Sequence, residues 1–331
     1  MPQPYKSQVH IDRPLTNIST AYMQTAEAFV ADKVFPTVGV AKQSDYYFTY
    51  SKDDFLRSVA KVRGPGSESA GGGYTHSYGS YACIPIAVHK DVDDQTRANT
   101  DDPLNAERDA TVWVTQQLML KREIDFVAKY IAASVWTPTD QTGVASDSPS
   151  TNEFEQWDRD GSDPIGVITG RALEMLETTG FLPNVLVVGY GTYLALKNHA
   201  DMLDRIKYNF PSSNPAKVTP QMIAAVLDLE QLYVAKAVQN SSKEGNATQT
   251  VAPIVGTGSL LCYAAPSPGL QVPTAGYTFA WTGFMGAGAT GGRIKKFRME
   301  HLESDRVEGE LAYDQKVVGL DLGQYFASCV G

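Results

Sequence analysis

The chain has 331 residues, 43% of them hydrophobic and 20% charged, a length that allows a substantial buried core and favours about two domains. Its formal net charge of −9 argues against a protein whose main task is gripping phosphate backbones, since that needs clustered lysine and arginine. No apolar run approaches the roughly 20 residues of a membrane helix, and MPQPYKSQVHIDRP carries no signal-like apolar core, so no membrane contact and a place inside the producing cell are expected.

In chain order, residues 1–40 read as an extended, proline-punctuated arm with one helix over 19–31, in which Ser19 is the N-cap. After Phe35-Pro36, the alternation in TVGVAKQSDYYFTYSKDDFLRS predicts strand. RGPGSESAGGGYTHSYGSY then packs six glycines into nineteen residues and cannot build a core of its own. Residues 41–80 therefore form a long two-stranded excursion with a flexible stretch. YACIPIAVHKDV, 81–92, alternates as a buried strand.

The strongest helical signal follows. Asp101 or Asp102 serves as N-cap, Pro103 as the first helical residue, Glu107 lies in the first turn, and helix formers continue to about Val135. Trp113, Leu120, Ile124, Val127 and Ile131 recur on one face, while Arg108, Lys121, Arg122 and Asp125 lie largely elsewhere. At ~1.5 Å per residue such a helix spans roughly 50 Å. From Pro164 the pattern changes to short alternating elements: a helix closed by Gly180, a strand NVLVVG, a helix over 191–199, a helix opened by Thr219-Pro220 and a strand QLYVAKAV. This is a compact α/β module. Beyond Gly292 the chain returns to strand-like alternation, and the last forty residues are strand.

Few residues carry chemistry. GAGATG, residues 286–291, matches the glycine pattern of a dinucleotide loop, with Glu308 and Glu310 at the spacing of a ribose-binding acid. Such a site needs a helix directly after the glycines, and GRIKKFRMEHLES has no apolar helical stripe, so a nucleotide-dependent oxidoreductase is disfavoured. Arg293, Lys295, Lys296 and Arg298 follow, and strand alternation splits their charges between two faces. The cysteines Cys83, Cys262 and Cys329 sit among apolar neighbours as small buried hydrophobes. The five histidines are scattered, and the acidic group Asp91, Asp93, Asp94, Asp101 and Asp102 lacks the glycine and glutamate of a calcium loop. No cofactor, metal or catalytic residue is expected.

The order of segments resembles the major capsid proteins of tailed bacteriophages, which share the HK97 fold. The resemblance covers nearly the whole chain. It rests on ADKVFPTVGVAKQSDYYFTYSKDDFLR, RGPGSES before a glycine-rich run, HKDVDDQTRANTDDPLN before the long helix, FLPNVLVVGYGTYLALKNHADMLDRIKY, WTGF with its glycines, and LESDRVEGE leading to KVVGLDLGQYF. It implies an α+β fold with an N-terminal arm (1–40), an E-loop (41–80), a P-domain (81–163) carrying a spine helix at about 103–135, an α/β A-domain (164–290), and C-terminal strands (291–331) returning to the P-domain. GAGATG becomes the crossing from A-domain to P-domain.

The function implied is a structural, non-enzymatic one. The chain assembles with itself into hexamers and pentamers of an icosahedral shell around packaged double-stranded DNA, held without sequence specificity. Its location is the virion, and the host cytoplasm during assembly. Portal and scaffolding proteins, and a decoration protein, are the further partners implied. A cellular nanocompartment shell of the same fold, encapsulin-like, is the alternative. On the excursion, which by this resemblance lies over a neighbouring subunit, Asp53, Asp54, Arg57, Lys61, Arg63 and Glu68 are the candidate subunit-interface residues, their mixed signs suiting ion pairs between chains.

Overall fold

A computed structural model describes residues 23–99, 105–209, 218–269, 271–283 and 291–331. Its first sheet is organised by the long strand β14 (Ser304–Val317). The N-terminal part of β14 lies between β4 (Ile84–Asp93) and β13 (Gly292–Met299), both antiparallel to it. Its C-terminal part pairs with β12 (Gly276–Trp281), which carries β1 (Thr37–Val40) in parallel on its other edge. The expected buried strand at 81–92 is different in kind: β4 is an edge strand and most of its residues are exposed or half-buried.

The long helix, α4 (Ala106–Tyr130), crosses this sheet. It is shorter than expected, about 37 Å at ~1.5 Å per residue. Its N-cap is Asn105, whose side chain accepts from the amides of Glu107 and Arg108 at 3.2 and 3.0 Å. Asp101, Asp102 and Pro103 lie outside the described residues. The buried face is also rotated from the expected one. Ala110, Val114, Leu118, Arg122, Glu123, Phe126 and Tyr130 are buried, whereas Trp113 is 43% exposed. Helix and sheet approach closely at Gly309, where an added Cβ would stand 2.4 Å from a Val114 methyl and 2.8 Å from a Leu118 methyl. Gly309→Val is expected to push α4 off β14 and lower stability by about 1–3 kcal/mol, the usual cost of overpacking. Unchanged denaturant unfolding would contradict this contact.

The second sheet runs β6 (Glu153–Glu155), β5 (Gln141–Val144), β15 (Gly323–Ala327), β11 (Ser259–Cys262), β7 (Val185–Gly189) and β8 (Gln231–Ala235). Every residue of β7 is buried because both faces are covered. Leu186 and Val188 meet α5 (Pro164–Thr179), α6 (Tyr190–Asn198), α7 (Ala200–Asn209) and α8 (Pro220–Val226) through Ile168, Leu196, Met202 and Ile223. Val185 and Val187 meet Phe126 and Tyr130 of α4 and the arm residues Val30, Ala31, Val34 and Phe35. Thus α4 packs on both sheets. Helix α5 ends as expected, closed by Gly180 at φ 80°, and at its start the Asp163 side chain accepts from the Gly166 amide. A separate two-stranded ribbon is formed by β9 (Val238–Asn240) and β10 (Val251–Pro253).

Sheet membership cuts across the expected segment boundaries. β5 and β6, within 81–163, and β15, within 291–331, belong to the second sheet, while β12, within 164–290, belongs to the first. The arm differs too. Residues 1–22, Ser19 included, lie outside the described residues, and 23–31 is no continuous helix: a 3-10 turn at Ala26–Ala28 is followed by extended backbone at Phe29 and by the short α1 (Ala31–Val34). Phe29 is buried against Ala237 and Ile254, Val30 against the α4 cluster. Packing in two directions breaks the helix.

Candidate functional site: an uncovered hairpin

Residues 41–82 form an antiparallel hairpin, β2 (Ser44–Tyr50) with β3 (His76–Ala82), joined through α2 (Lys52–Leu56) and the glycine-rich stretch. Its two faces have different fates because strand side chains alternate. On the inner face Tyr47 and Tyr81 stack on Phe279 of β12, ring centroids 5.4 and 4.6 Å away. The outer face carries Tyr46, Phe48 and Tyr78, which are 71, 57 and 61% exposed. Phe48 and Tyr78 face each other across the ladder at 5.3 Å, and Tyr50, Phe55 and Tyr74 continue the aromatic surface toward α2. Leu56, Val59 and Val62 are exposed beyond it. A contiguous apolar surface of this kind marks an interaction site.

The six candidate interface charges are not the centre of this surface. Asp53, Arg57, Lys61, Arg63 and Glu68 are exposed and form no ion pair among the described residues. Asp54 is used within the hairpin: its carboxylate accepts from the Thr75 amide and hydroxyl at 2.8 and 2.6 Å, bonds that hold it below the usual carboxylate range. The Arg63 Nε donates to the Ser67 carbonyl. The aromatic face was the missed feature. Its signal lay in SDYYFTY, where every second residue is a large ring in a segment with nothing of its own to cover it.

The basic run at β13 divides between the two faces of its sheet, as alternation requires. Away from α4, Arg293 pairs with Glu310, and Lys295 lies 2.9 and 3.0 Å from Glu308 and Glu310. Toward α4, Lys296 reaches Glu107 at 2.6 Å, and Arg298 reaches Asp94 of α3 (Asp94–Asn99) at 2.6 Å and Asp305 at 3.5 Å. All four cations are therefore paired, which removes them as a phosphate-gripping stripe. Arg306 holds Asp91 below the usual carboxylate range, and Arg298 does the same for Asp94. At Asp305 and Glu310 burial pushes upward, but hydrogen bonds from Arg97 and Lys296, and from Arg293 and Lys295, outweigh it. Carboxyls lowered in the fold contribute stability that is present above their unfolded values and lost as pH falls through the folded ones. The melting temperature is thus expected to fall from pH 5 toward pH 3, and Asp305→Asn to flatten that fall.

Among the described residues, other groupings lack the geometry of the chemical sites they suggest. Gly286 and Gly288 lie outside the described residues. Gly291 has φ +73°, and a Cβ there would meet the Ala312 carbonyl oxygen at 2.5 Å. β13 starts at the next residue, so a strand and not a helix follows Gly291. Gly291→Ala is expected to cost about 1–3 kcal/mol through backbone strain, with no thermal shift from added NAD or ATP. Ser162, His199 and Asp201 resemble a hydrolytic triad, with Ser162 Oγ 3.1 Å from His199 Nε2. The hydrogen bonds run the wrong way. His199 Nδ1 accepts from the Asp201 amide, which leaves the ring proton on Nε2, and the Ser162 hydroxyl donates to the Arg159 carbonyl. Both side chains are buried. The three cysteines are buried and free, and burial pushes the Cys83 thiol up to about 11 and the Cys329 thiol to about 12. Among the described residues no cluster of His, Cys, Asp or Glu could hold a metal, and no helix is long and apolar enough to cross a membrane.

A two-sheet body bridged by one long helix, with an uncovered hairpin, is an HK97-like α+β fold, the fold of solved phage capsid structures. A phage-related protein from Bordetella bronchiseptica superposes with a TM-score of 0.67 over 92% of this chain and 94% of its own, at 18% identity. An encapsulin complex from Synechococcus elongatus gives 0.53 over 98% and 95% at 11% identity. No family model matches the chain. In sequence it is similar to phage major capsid proteins: it is 23% identical to that of Burkholderia phage BcepMu over 242 residues, and 26% identical to that of Pseudomonas phage JBD67 over 243, each alignment covering 71% of both chains.

Proposed function

We propose that this chain is a major capsid protein that self-assembles into the icosahedral shell enclosing packaged phage DNA. The observation that carries the reading is the hairpin's outer face, an apolar surface left bare by a subunit whose fold is that of phage capsids. A second copy is the natural cover. Many modest interfaces closed at once then hold the shell, in hexameric and pentameric capsomers, with no single tight contact needed. The role is structural and not enzymatic, and the subunit resides in the virion after assembly in the host cytoplasm. Portal and scaffolding proteins, and a decoration protein, are its further partners.

In this reading the hairpin is the E-loop, the sheet of β1, β4, β12, β13 and β14 with α4 forms the P-domain and its spine, and the six-stranded sheet with α5 to α8 forms the A-domain. Asp53, Arg57, Lys61, Arg63 and Glu68 then lie at the rim of the contact around the aromatic face. DNA is enclosed without sequence readout, which suits the net charge of −9 and the paired cations of β13. An encapsulin-like compartment has the same fold, and the contents of the particle separate the two. Particles purified from the native source are expected to hold double-stranded DNA. Particles filled with enzyme and free of DNA would transfer the chain to the compartment class.

A further inference from the structure

The hairpin touches the subunit's own body at a second place, remote from Phe279. Lys52 Nζ of α2 lies 2.5 Å from Asp321 Oδ2, although the two residues are far apart in sequence. Asp321 belongs to a 3-10 turn, Leu320–Leu322, that packs against α5. Four residues after Lys52, a Leu56 methyl comes within 4.0 Å of where a Cβ at Gly180 would stand, at the C-terminal end of the same helix. Between these two points the surfaces do not close. A cleft of about 160 Å³ remains, lined by Lys52, Thr137, Arg171, Glu174, Asp321 and Gln324.

The character of this contact differs from that of the hairpin's root. At the root, two rings stack on a buried phenylalanine. At the tip, one part-exposed ion pair and one methyl contact flank an open cleft, while Phe55 and Leu56 stay more than half exposed even though α2 is docked. Rings continue from Phe55 through Tyr50 and Tyr74 toward the bare outer face, so a cover for that face extends onto α2 itself. Leu56 thus belongs both to the docked tip and to the surface that a second body would cover.

We propose that the Lys52–Asp321 pair is an autoinhibitory latch: in the free subunit it parks the hairpin tip on its own body, and a second copy must displace it before the shell closes. This rests on the capsid reading. An exposed ion pair shifts an equilibrium by only about one- to fivefold, which suits a contact that has to be broken at every subunit. The fraction of subunits with the tip released sets the apparent affinity of each docking step, and a few-fold change in that fraction is repeated around the shell.

The test uses the full chain with Lys52→Cys and Asp321→Cys, joined by a short bis-methanethiosulfonate crosslinker that reducing agent removes. The native cysteines are buried, which directs the reagent to the new pair. The expected result is an intramolecular crosslink in soluble subunits, loss of shell formation while it is present, and recovery on reduction. Lys52→Ala is expected to form shells at a concentration a few-fold lower than wild type. Crosslinked subunits that close shells as readily as reduced ones, or a reagent that joins only different chains, would overturn the latch while leaving the capsid reading intact. Failure of wild-type and reduced chains alike to form any shell would overturn the capsid reading, and the latch with it.

Discussion

Phe48→Asp combined with Tyr78→Asp yields a folded subunit that forms no shells. The two rings oppose each other on the hairpin's outer face and are 57 and 61% exposed, so the isolated subunit gains little from them. Aromatic side chains bury ~150–250 Å² each when covered, and covering the exposed part of both is worth on the order of 5 kcal/mol per subunit at ~25 cal/mol per Å². Carboxylates there reverse the sign of that term by adding two desolvation costs. Circular dichroism and the melting temperature of the soluble variant should match wild type, while electron micrographs show no closed particles. Normal particles would mean that the face is solvent-exposed in the assembly. Removing residues 64–73 separates the ring face from the glycine-rich stretch: the subunit body should stay folded, and shells should fail or become fragile. Undiminished shells would reduce that stretch to a solvated loop, and loss of helix content would place it in a core.

Glu123→Ala is expected to destabilise the subunit by about 2–4 kcal/mol. Glu123 is a fully buried carboxylate in the middle of α4, and its oxygens accept the amides of Val30 and Ala31 at 2.9–3.2 Å. It does for α1 what an N-cap does, from another element. Beside it Arg122, also buried, pairs with Asp32 at 2.6 Å and lies over the Tyr313 ring, so two consecutive helix residues fix the root of the arm. Alanine leaves two buried amides without acceptors, at about 1–3 kcal/mol for each unsatisfied group. The pH dependence has a definite sign. Burial pushes the Glu123 carboxyl up, against the pull of the Ala31 and Val30 amides. A carboxyl raised in the fold contributes most below its unfolded value, and that contribution is lost as pH rises through the folded one. Acid therefore does not release the arm root through Glu123, and the margin of wild type over alanine narrows as pH rises in urea titrations. A margin that widens would contradict the assignment.

The same two residues show where the sequence was legible and where it was not. An unbroken run of helix formers announced α4, and Pro164 and Gly180 bounded α5, because breakers act locally. The alternation past Gly292 announced β13 and β14 for the same reason. The buried face of α4 was misplaced because a periodicity scan looks for one apolar stripe. This helix instead serves two sheets in succession and buries Arg122 and Glu123 against a backbone that no local pattern specifies. The arm's continuous helix failed on a similar ground, since Phe29 and Val30 belong to different clusters. At the hairpin the two strands were readable from alternation. Attention to Asp53, Arg57, Lys61 and Glu68 missed the aromatic face, because exposure of Tyr46, Phe48 and Tyr78 is a property of what the fold leaves uncovered.

Electron microscopy of the purified wild-type protein, with sedimentation velocity on the same sample, tests the central claim most directly. The account predicts closed icosahedral particles or capsomer-sized rings, sedimenting far above the 35.9 kDa chain. A single monomeric boundary at every concentration and salt, from a thermally stable protein that shows no particles on the grid, would contradict it.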